Sequence, residues 1–412
     1  MNRYRNPKIC VCHTDLRLYW PDRLVAFEAF CREKGALLEV VEIAGQGSPY
    51  SFTKERASHA EWWHCLHPAK GMEELGSFAC SREVGAKLLE LETDVAIGGA
   101  LAFPSGAGVV KWGLKTAKKV VIMDDARLAD VPRSRLVNWI KRRIYQEVDA
   151  VLLPAPGHVA DYAFWGIPAR SLHFGLNVVN NDLFRDSARA VRASEIYHRT
   201  QLQLPERYLL GVGRQVEKKN WMALLNAWGG FKRKHPRSGL DLVLVGGGPD
   251  RSKLAERVRS AGWNDVHFHD FTCQKDIGRY YAMAEAVVLP SRVGETWGLV
   301  VNEAMACGLP VIVSRQCGCA STLVKEGVNG WMVDAESMES MELAIRGLAN
   351  APRDRLVEMG RSSSRIIGEW GLSRFCEGAW QAVQYALAAP KRPVNSVNHL
   401  IVNLWNGRYR PT

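Results

Sequence analysis

The sequence predicts an α/β protein of two domains, each an open parallel sheet covered by helices, and three observations carry that prediction. Short apolar strand-like runs alternate with amphipathic helical runs along most of the chain. The alternation occurs twice, interrupted by a polar, charge-rich stretch over residues 177–205 that has no strand character. The 412 residues exceed one typical domain, and 47% hydrophobic with 24% charged residues is the balance of a folded globular chain rather than a disordered or fibrous one.

In the first half, apolar runs of strand length predict strands at 8–12, 37–43, 94–97, 120–123, 150–153 and 171–174. The interrupting stretch is expected to hold one helix, over 187–199. Strands follow at 208–212, 241–245, 266–268, 286–289 and 311–313, separated by helices at 221–234, 250–260, 277–284 and 298–306. A last amphipathic helix over 373–388 precedes a tail containing Pro and Asn. The expected domains are 1–185 and 186–371, with 372–412 as a terminal helix and tail. In open parallel sheets ligands bind at the carboxyl ends of the strands, so the motifs there carry the functional reading.

Composition narrows the classes. No run of eighteen apolar residues occurs, and residues 1–7 lead into a strand without a signal-peptide core, so a cytoplasmic protein is expected, at most peripheral at the cytoplasmic face of a membrane. The close cysteine pairs, Cys10/Cys12 and Cys317/Cys319, have C-x-C spacing instead of the C-x2-C of zinc and redox sites, so free thiols are expected. His64, Cys65 and His67 are interleaved with Leu66 and have no second ligand pair at finger spacing, so they are not read as a metal site. A net charge of +11 implies an anionic partner. The clearest basic segment, Arg133, Arg135, Lys141, Arg142 and Arg143 among Leu136, Trp139, Ile140, Ile144 and Tyr145, reads as an amphipathic helix entered through Pro132. Such a helix ordinarily packs its apolar face, while its charges offer a contact to anionic lipid headgroups. Nucleic acid is not expected, because no finger spacing, RNP-like aromatic run or recognition helix accompanies the charge.

Two carboxylates define the chemistry. Glu295 falls in the loop after the 286–289 strand, and Glu303 on the helix behind it. The start of that helix has free amides and positive dipole character, where a diphosphate could rest while the two glutamates accept hydrogen bonds from hydroxyls. A hydroxyl-rich ligand carrying phosphate is a nucleotide sugar. The ordinary alternative is a solvated helix face, yet Glu303 emerges between Val300, Val301, Ala304 and Met305, where a charge needs a partner. The 208–212 strand runs into Gly213 and Arg214, then Lys219 and Asn220. Gly213 lets the chain turn closely, Arg214 can clasp phosphate oxygens as a planar fork, and Lys219 adds a point charge. No Asp-x-Asp occurs anywhere, so cationic side chains are expected in place of a bridging metal, with no cofactor beyond the sugar nucleotide as co-substrate; Asp124 and Asp125 remain the pair able to ligate magnesium. A third strand ends in Gly246, Gly247, Gly248 and Pro249, which permits either close backbone approach to a base or phosphate, or simply a tight turn.

These pieces, in this order, resemble the donor-binding half of the retaining glycosyltransferases of family 4. The resemblance covers residues 211–330 and includes Tyr281, Leu289-Pro-Ser291, the run from Glu295 to Val313, and Gly327-Val-Asn-Gly330. It implies the GT-B fold of two facing Rossmann-like sheets, with the last helix crossing back so that 372–412 packs on the first domain. It also implies that Arg214 and Lys219 bind the donor diphosphate, Glu303 the ribose and Glu295 the transferred sugar, with Thr296, Trp297, Gly298 and Leu299 near phosphate and sugar. The implied reaction is transfer from a nucleoside-diphosphate sugar to a hydroxyl of a glycan or lipid-linked glycan, with retention, in surface polysaccharide or glycoconjugate assembly. In the family's account the leaving phosphate deprotonates the acceptor; if a protein base takes part, Asp124, Asp125 or His13 is the candidate.

The first half resembles the family more loosely. His13-Thr-Asp15 follows the first strand instead of a glycine-rich loop, Asp124-Asp125 stand where relatives often place a histidine, Trp297 replaces a usual phenylalanine, and Asn180 stands where aspartate is common. Two competing readings follow: a nucleotide-sugar epimerase or phosphorylase on a similar fold, and a non-catalytic nucleotide-sugar-binding scaffold that kept only the donor pocket. A dinucleotide oxidoreductase would use Gly106-Ala-Gly108 and Asp124, but Pro104 and Ser105 spoil the tight turn its fingerprint needs.

Overall fold

The computed structural model of the chain describes residues 6–46, 60–130, 132–390 and 395–408. It divides into two compact units, one of Met1–Leu128, Pro132–Val178 and Leu372–Thr412, the other of Ala129–Val131 and Val179–Gly371.

The first unit holds a parallel sheet of β1 Lys8–His13, β2 Leu37–Ala44, β3 Trp63–His67, β4 Val95–Gly98, β5 Lys119–Met123, β6 Ala150–Leu153 and β7 Leu172–Phe174, in the order β3-β2-β1-β4-β5-β6-β7. Its helices are α1 Trp20–Glu33, α2 Ser77–Glu90, α3 Pro104–Thr116, α4 Arg135–Tyr145 and α5 Val159–Phe164. Helices cover both faces, so β4 and β6 are buried along their whole length and read as unbroken apolar runs. The strand β3 was not expected. It is an edge strand, half-buried throughout, and its alternating Trp63, His64, Cys65, Leu66, His67 has no apolar run to announce it. The helix α4 starts at Arg135 because Ser134 caps it, its hydroxyl accepting from Val137 N at 3.2 Å. Gly106 and Gly108 lie inside α3; a Cβ at Gly108 would press into Ser81 O of α2 at 2.6 Å and one at Gly106 would fall on Gly99 O of the preceding loop, so both serve close packing of α3.

The second unit holds β8 Tyr208–Val212, β9 Asp241–Val245, β10 Val266–His269, β11 Ala286–Leu289, β12 Val311–Ser314 and β13 Gly330–Val333, in the order β10-β9-β8-β11-β12-β13, again parallel. Its helices are α6 Asn181–Arg192, α7 Glu195–Leu202, α8 Trp221–Lys234, α9 Arg251–Ser260, α10 Gln274–Met283, α11 Leu299–Ala306, α12 Ala320–Leu323, α13 Met338–Asn350 and α14 Arg353–Gly368. The single helix expected over 187–199 is two. Asn180 caps α6 through its side-chain oxygen, which accepts from Leu183 N at 3.3 Å, so the helix begins six residues early and ends before Ser194. The helix expected at 277–284 starts at Gln274. The strand β13 was not expected, its first residue being quoted only at the end of the Gly327-Val-Asn-Gly330 motif; Gly330 opens it because any Cβ there would fall on Val311 O of the neighbouring strand.

Two further helices, α15 Leu372–Ala388 and α16 Ser396–Leu404, return to the first unit. The helix α15 buries Phe375, Ala379, Ala382, Val383 and Ala386 in the core shared with α1 and β5–β7, and Gly378 lets it lie under Phe174 O. On the opposite face, α16 packs against α3 and α4, with Asn398 Nδ2 donating to Glu147 Oε1 at 2.8 Å and Val402 buried. Of the expected tail, residues 391–394 and 409–412 lie outside the described residues. Among the described residues no helix is long and apolar enough to cross a membrane.

In each sheet the winding reverses once, between β1 and β4 and between β8 and β11. The strand ends at such a reversal diverge and leave a crevice between their loops.

Candidate active site

At the β8/β11 reversal two loops meet. The loop after β8 makes one 3-10 turn over Glu217–Lys219 and then Asn220 in the left-handed region (φ 62°). Asn220 is buried, and its Nδ2 donates to Pro290 O at 3.1 Å and Ala335 O at 2.9 Å, tying this loop to the one that follows β11. Lys219 Nζ thereby stands 2.5 Å from Glu295 Oε2, which also accepts from Ser291 Oγ at 3.0 Å. Burial pushes the Glu295 carboxyl up, but Lys219, Ser291 and Lys218 together outweigh it and hold the group below the usual carboxylate range. Lys218 is pulled down, first by burial and further by Lys219 and Arg214, with Glu295 opposing. Three cations and one carboxylate therefore share this neighbourhood. Asp130 of the same unit adds a second carboxylate, accepting from Gly294 N at 3.2 Å. Sequence reasoning named Arg214, Lys219 and Glu295 here; it missed Lys218 and Asp130, and quoted Ser291 and Asn220 without their roles.

The glycine run after β9 joins two loops. Gly213 N donates to Val245 O at 3.0 Å, Gln215 N to Gly247 O at 2.7 Å, and Asp250 N to Gln215 O at 3.0 Å. A Cβ on Gly246 would fall on Gly213 O, and one on Gly248 would fall on Gln215 O. The glycines at 246 and 248 let two loops be sewn together, whereas Gly247 faces open space. Pro249 follows, and Trp221 Nε1 holds the Arg214 carbonyl at 2.9 Å.

Beyond Glu295 the backbone is pinned. Gly318 N donates to Glu295 O at 3.0 Å and Cys319 N to Trp297 O at 3.2 Å, and a Cβ on Gly318 would strike Thr296 O. The Trp297 side chain is buried, 6.1 Å from the Trp370 ring, with its Nε1 donating to Asn302 Oδ1 at 2.9 Å. Its indole thus belongs to the core, and only its backbone is placed to meet a ligand. Gly298 (φ 106°) opens α11, where the amides of Gly298, Leu299 and Val300 find no acceptor among the described residues. Such amides at a helix start attract an anion. Glu303 lies further along α11, 4% exposed, its Oε2 accepting from Tyr281 OH at 2.6 Å. The partner that its apolar surroundings demanded is therefore a tyrosine on α10.

In the first unit the candidate bases part company. Asp124, at the end of β5, accepts from Tyr145 OH at 2.5 Å and Ala126 N at 3.0 Å, and pairs with Lys141 Nζ at 3.3 Å. Burial raises this carboxyl, but Lys141 and the Tyr145 hydroxyl outweigh it and hold it low. Lys141 Nζ in turn sits 3.5 Å from the Trp165 ring centroid, and burial pulls its own pKa down. Asp124 therefore ties β5 to α4 and has no open oxygen face to offer an acceptor. Asp125 is half-buried and accepts from Asn177 Nδ2 at 3.1 Å. His13 ends β1, 4.8 Å from the Trp20 ring, with Nδ1 3.2 Å from Asp15 O; burial lowers its pKa to about 4, against the opposing pull of Asp15. Arg23, missed in the sequence, is buried, donates to Val178 O at 2.9 Å, and lies in electrostatic range of both His13 and Asp125. Ser105 Oγ, buried with no hydrogen-bond partner among the described residues, lies across Gly99 from His13.

His64 and His67 each face their own glutamate, Glu39 at 2.8 Å and Glu83 at 2.7 Å, and among the described residues Cys10, Cys12, Cys317 and Cys319 form no disulfide. Among the described residues no three of His, Cys, Asp or Glu stand together as metal ligands. A cavity of about 240 Å³ lined by Arg185, Arg189, Arg192, Cys307 and Ser364 opens at the far end of α11 and includes none of the site residues above.

Two open parallel sheets with a C-terminal helix returning to the first make this a protein of the GT-B fold. Solved structures of that fold superpose on nearly the whole chain: a glycosyltransferase from Rickettsia africae (TM-score 0.71, 13% identity, 94% of this chain and 100% of that one) and Anabaena HepE in complex with UDP (TM-score 0.70, 16% identity, 92% and 99%). The model of the family described as glycosyl transferases group 1 matches residues 194–363. Among curated relatives, the GDP-mannose-dependent alpha-(1-6)-phosphatidylinositol monomannoside mannosyltransferase of Mycobacterium tuberculosis is 28% identical over 63% of this chain and 71% of its own length. The D-inositol 3-phosphate glycosyltransferase of Corynebacterium kroppenstedtii is 30% identical over 63% and 60%. Over residues 194–363, most of the second unit, the chain is similar to the group 1 glycosyl transferases.

Proposed function

We propose that the chain transfers a sugar from a nucleoside-diphosphate donor to a hydroxyl of a glycan or lipid-linked glycan, with retention of anomeric configuration and without a metal. The observation that carries this reading is the Lys219–Glu295 pair at the β8/β11 reversal, backed by Lys218 and Arg214 and facing the free amides that open α11. Arg214 and Lys219 neutralise the diphosphate, the α11 amides bind its oxygens, Glu295 accepts from hydroxyls of the transferred sugar, and Glu303 accepts from the ribose. In the reaction the bond from the anomeric carbon to the phosphate oxygen breaks. The acceptor oxygen bonds to the same face of that carbon, and its proton passes to the departing phosphate. The protein's share is orientation and charge neutralisation in a partly dry crevice. The UDP named with HepE and the GDP-mannose named with the mycobacterial relative support a sugar nucleotide as donor class while leaving the base open. Polysaccharide or glycoconjugate assembly is the setting this chemistry serves.

The test is a panel of nucleotide sugars screened by thermal shift on purified protein. Assay of transfer with the best binder follows, in chelator and with added magnesium, with the product's anomeric configuration read by NMR. Unaltered nucleotide affinity and turnover in Arg214→Gln and Lys219→Gln would refute the phosphate assignment. Free sugar isomers without new glycoside would point instead to epimerisation, and binding with no turnover on any acceptor to a scaffold.

A further inference from the structure

One outer face of the first unit has the chemistry of a lipid-facing surface. The helices α3, α4 and α16 lie side by side on the same side of the sheet, α16 touching both others, and their sequences contain no aspartate or glutamate. On α4, Leu136 is 64% exposed and Trp139 43% exposed, while Ile144 and Tyr145 supply the buried side. The cations beside them are uncommitted: Arg135, Arg142 and Arg143 form no ion pair among the described residues, and Arg143 lies over the Trp139 ring at 5.3 Å. Among the described residues the one paired cation of α4 is Lys141, which pairs inward with Asp124.

The short helix α16 repeats the arrangement. Asn398 and Val402 anchor it, and Val397, Leu400 and Leu404 make an outward apolar stripe, with Leu400 62% and Leu404 72% exposed. A soluble surface ordinarily leaves single apolar side chains scattered, and a contiguous set rimmed by one sign of charge marks a contact surface. Apolar side chains long enough to enter the acyl boundary, a tryptophan suited to the headgroup layer and unpaired arginines are the requirements of an interfacial helix on an anionic bilayer.

We propose that the α4/α16 face docks on the surface of an anionic phospholipid membrane, with Trp139, Leu400 and Leu404 entering the headgroup layer and Arg135, Arg142 and Arg143 binding lipid phosphates. The inference stands on the first unit alone and does not depend on the transfer reaction.

The full-length protein is sedimented with phosphatidylcholine vesicles that contain phosphatidylglycerol and with phosphatidylcholine vesicles alone, at two salt concentrations. Recruitment to the anionic vesicles is expected, weakening with salt. The doubly substituted chain R142S/R143S should bind about fivefold more weakly per arginine removed. The chain L400S/L404S should lose about tenfold per leucine, with an unchanged unfolding midpoint because both side chains are exposed. Failure of the unaltered protein to sediment with anionic vesicles overturns the proposal, as does equal binding by L400S/L404S. A solution dimer that L400S/L404S dissociates, or preference for duplex DNA over vesicles, overturns it equally.

Discussion

The two winding reversals treat charge in opposite ways. Between β8 and β11 an ion pair stands open to the crevice, with Lys219 and Glu295 side chains 13% and 14% exposed. In the first unit the reversal between β1 and β4 presents His13, which burial keeps uncharged at neutral pH, and the charged pair is drawn inward at β5, where the Asp124 side chain is 2% exposed. Both carboxylates stand in the loop that leaves a strand's carboxyl end, Asp124 directly after β5 and Glu295 six residues after β11. What separates them is where their oxygens go: Glu295 keeps Lys219 beside it with both side chains partly exposed, and Asp124 spends its oxygens on Tyr145, Lys141 and Ala126 N. A carboxylate at a strand's carboxyl end is thus a reagent or a rivet according to its second partner.

Substitutions on the two sides should separate accordingly. The largest effect is expected for Asp124→Ala, which leaves Lys141 buried over Trp165 without its counter-charge; we expect about 3–5 kcal/mol of lost stability by denaturant unfolding. A loss below about 1 kcal/mol would return Asp124 to the candidate bases. Lys219→Met should invert the pattern. Its pair reaches solvent, so about 1–2 kcal/mol of stability is at stake, while kcat should fall on the order of a hundredfold as the leaving phosphate loses a cation.

The next contrast lies within one glycine run. Gly248→Ala should cost about 1–3 kcal/mol, since its Cβ has no room beside Gln215 O, and Gly247→Ala should stay within about 0.5 kcal/mol; equal costs in thermal unfolding would show that the two loops are not sewn as described.

The smallest effect is a slope. His13 titrates at about 4 in the folded protein against 6.5 for an unperturbed histidine, so the unfolded chain takes up this proton first. Its stabilising contribution is complete above pH 6.5 and declines as pH falls from 6.5 toward 4. In His13→Gln, urea midpoints at pH 7 and pH 5 should lie closer together than in the unaltered protein.

Much of the second unit could be read in the chain because its signals are local. Apolar runs ended by glycine or proline marked β8, β9 and β11, and Gly213, Arg214, Lys219, Glu295 and Glu303 announced themselves by residue type and position after a strand. The elements that escaped notice lacked such signals. The edge strand β3 is amphipathic and aromatic, β13 is four residues long and opens on a glycine, and the break between α6 and α7 depends on where Asn180 starts the first helix.

Sequence by itself determined the fold class, the positions of most apolar strands and the residue types at the strand ends, because burial on both sheet faces and loop chemistry are written in consecutive residues. Only tertiary structure decided which charges meet. Lys219 joins Glu295 across 76 positions through the Asn220 bridge, Tyr281 turns to Glu303, Lys141 takes Asp124 out of play, and α16 lies beside α4 after more than 250 intervening residues. A charge's role depends on its distance to an opposite charge and on the water between them, and chain folding alone sets both.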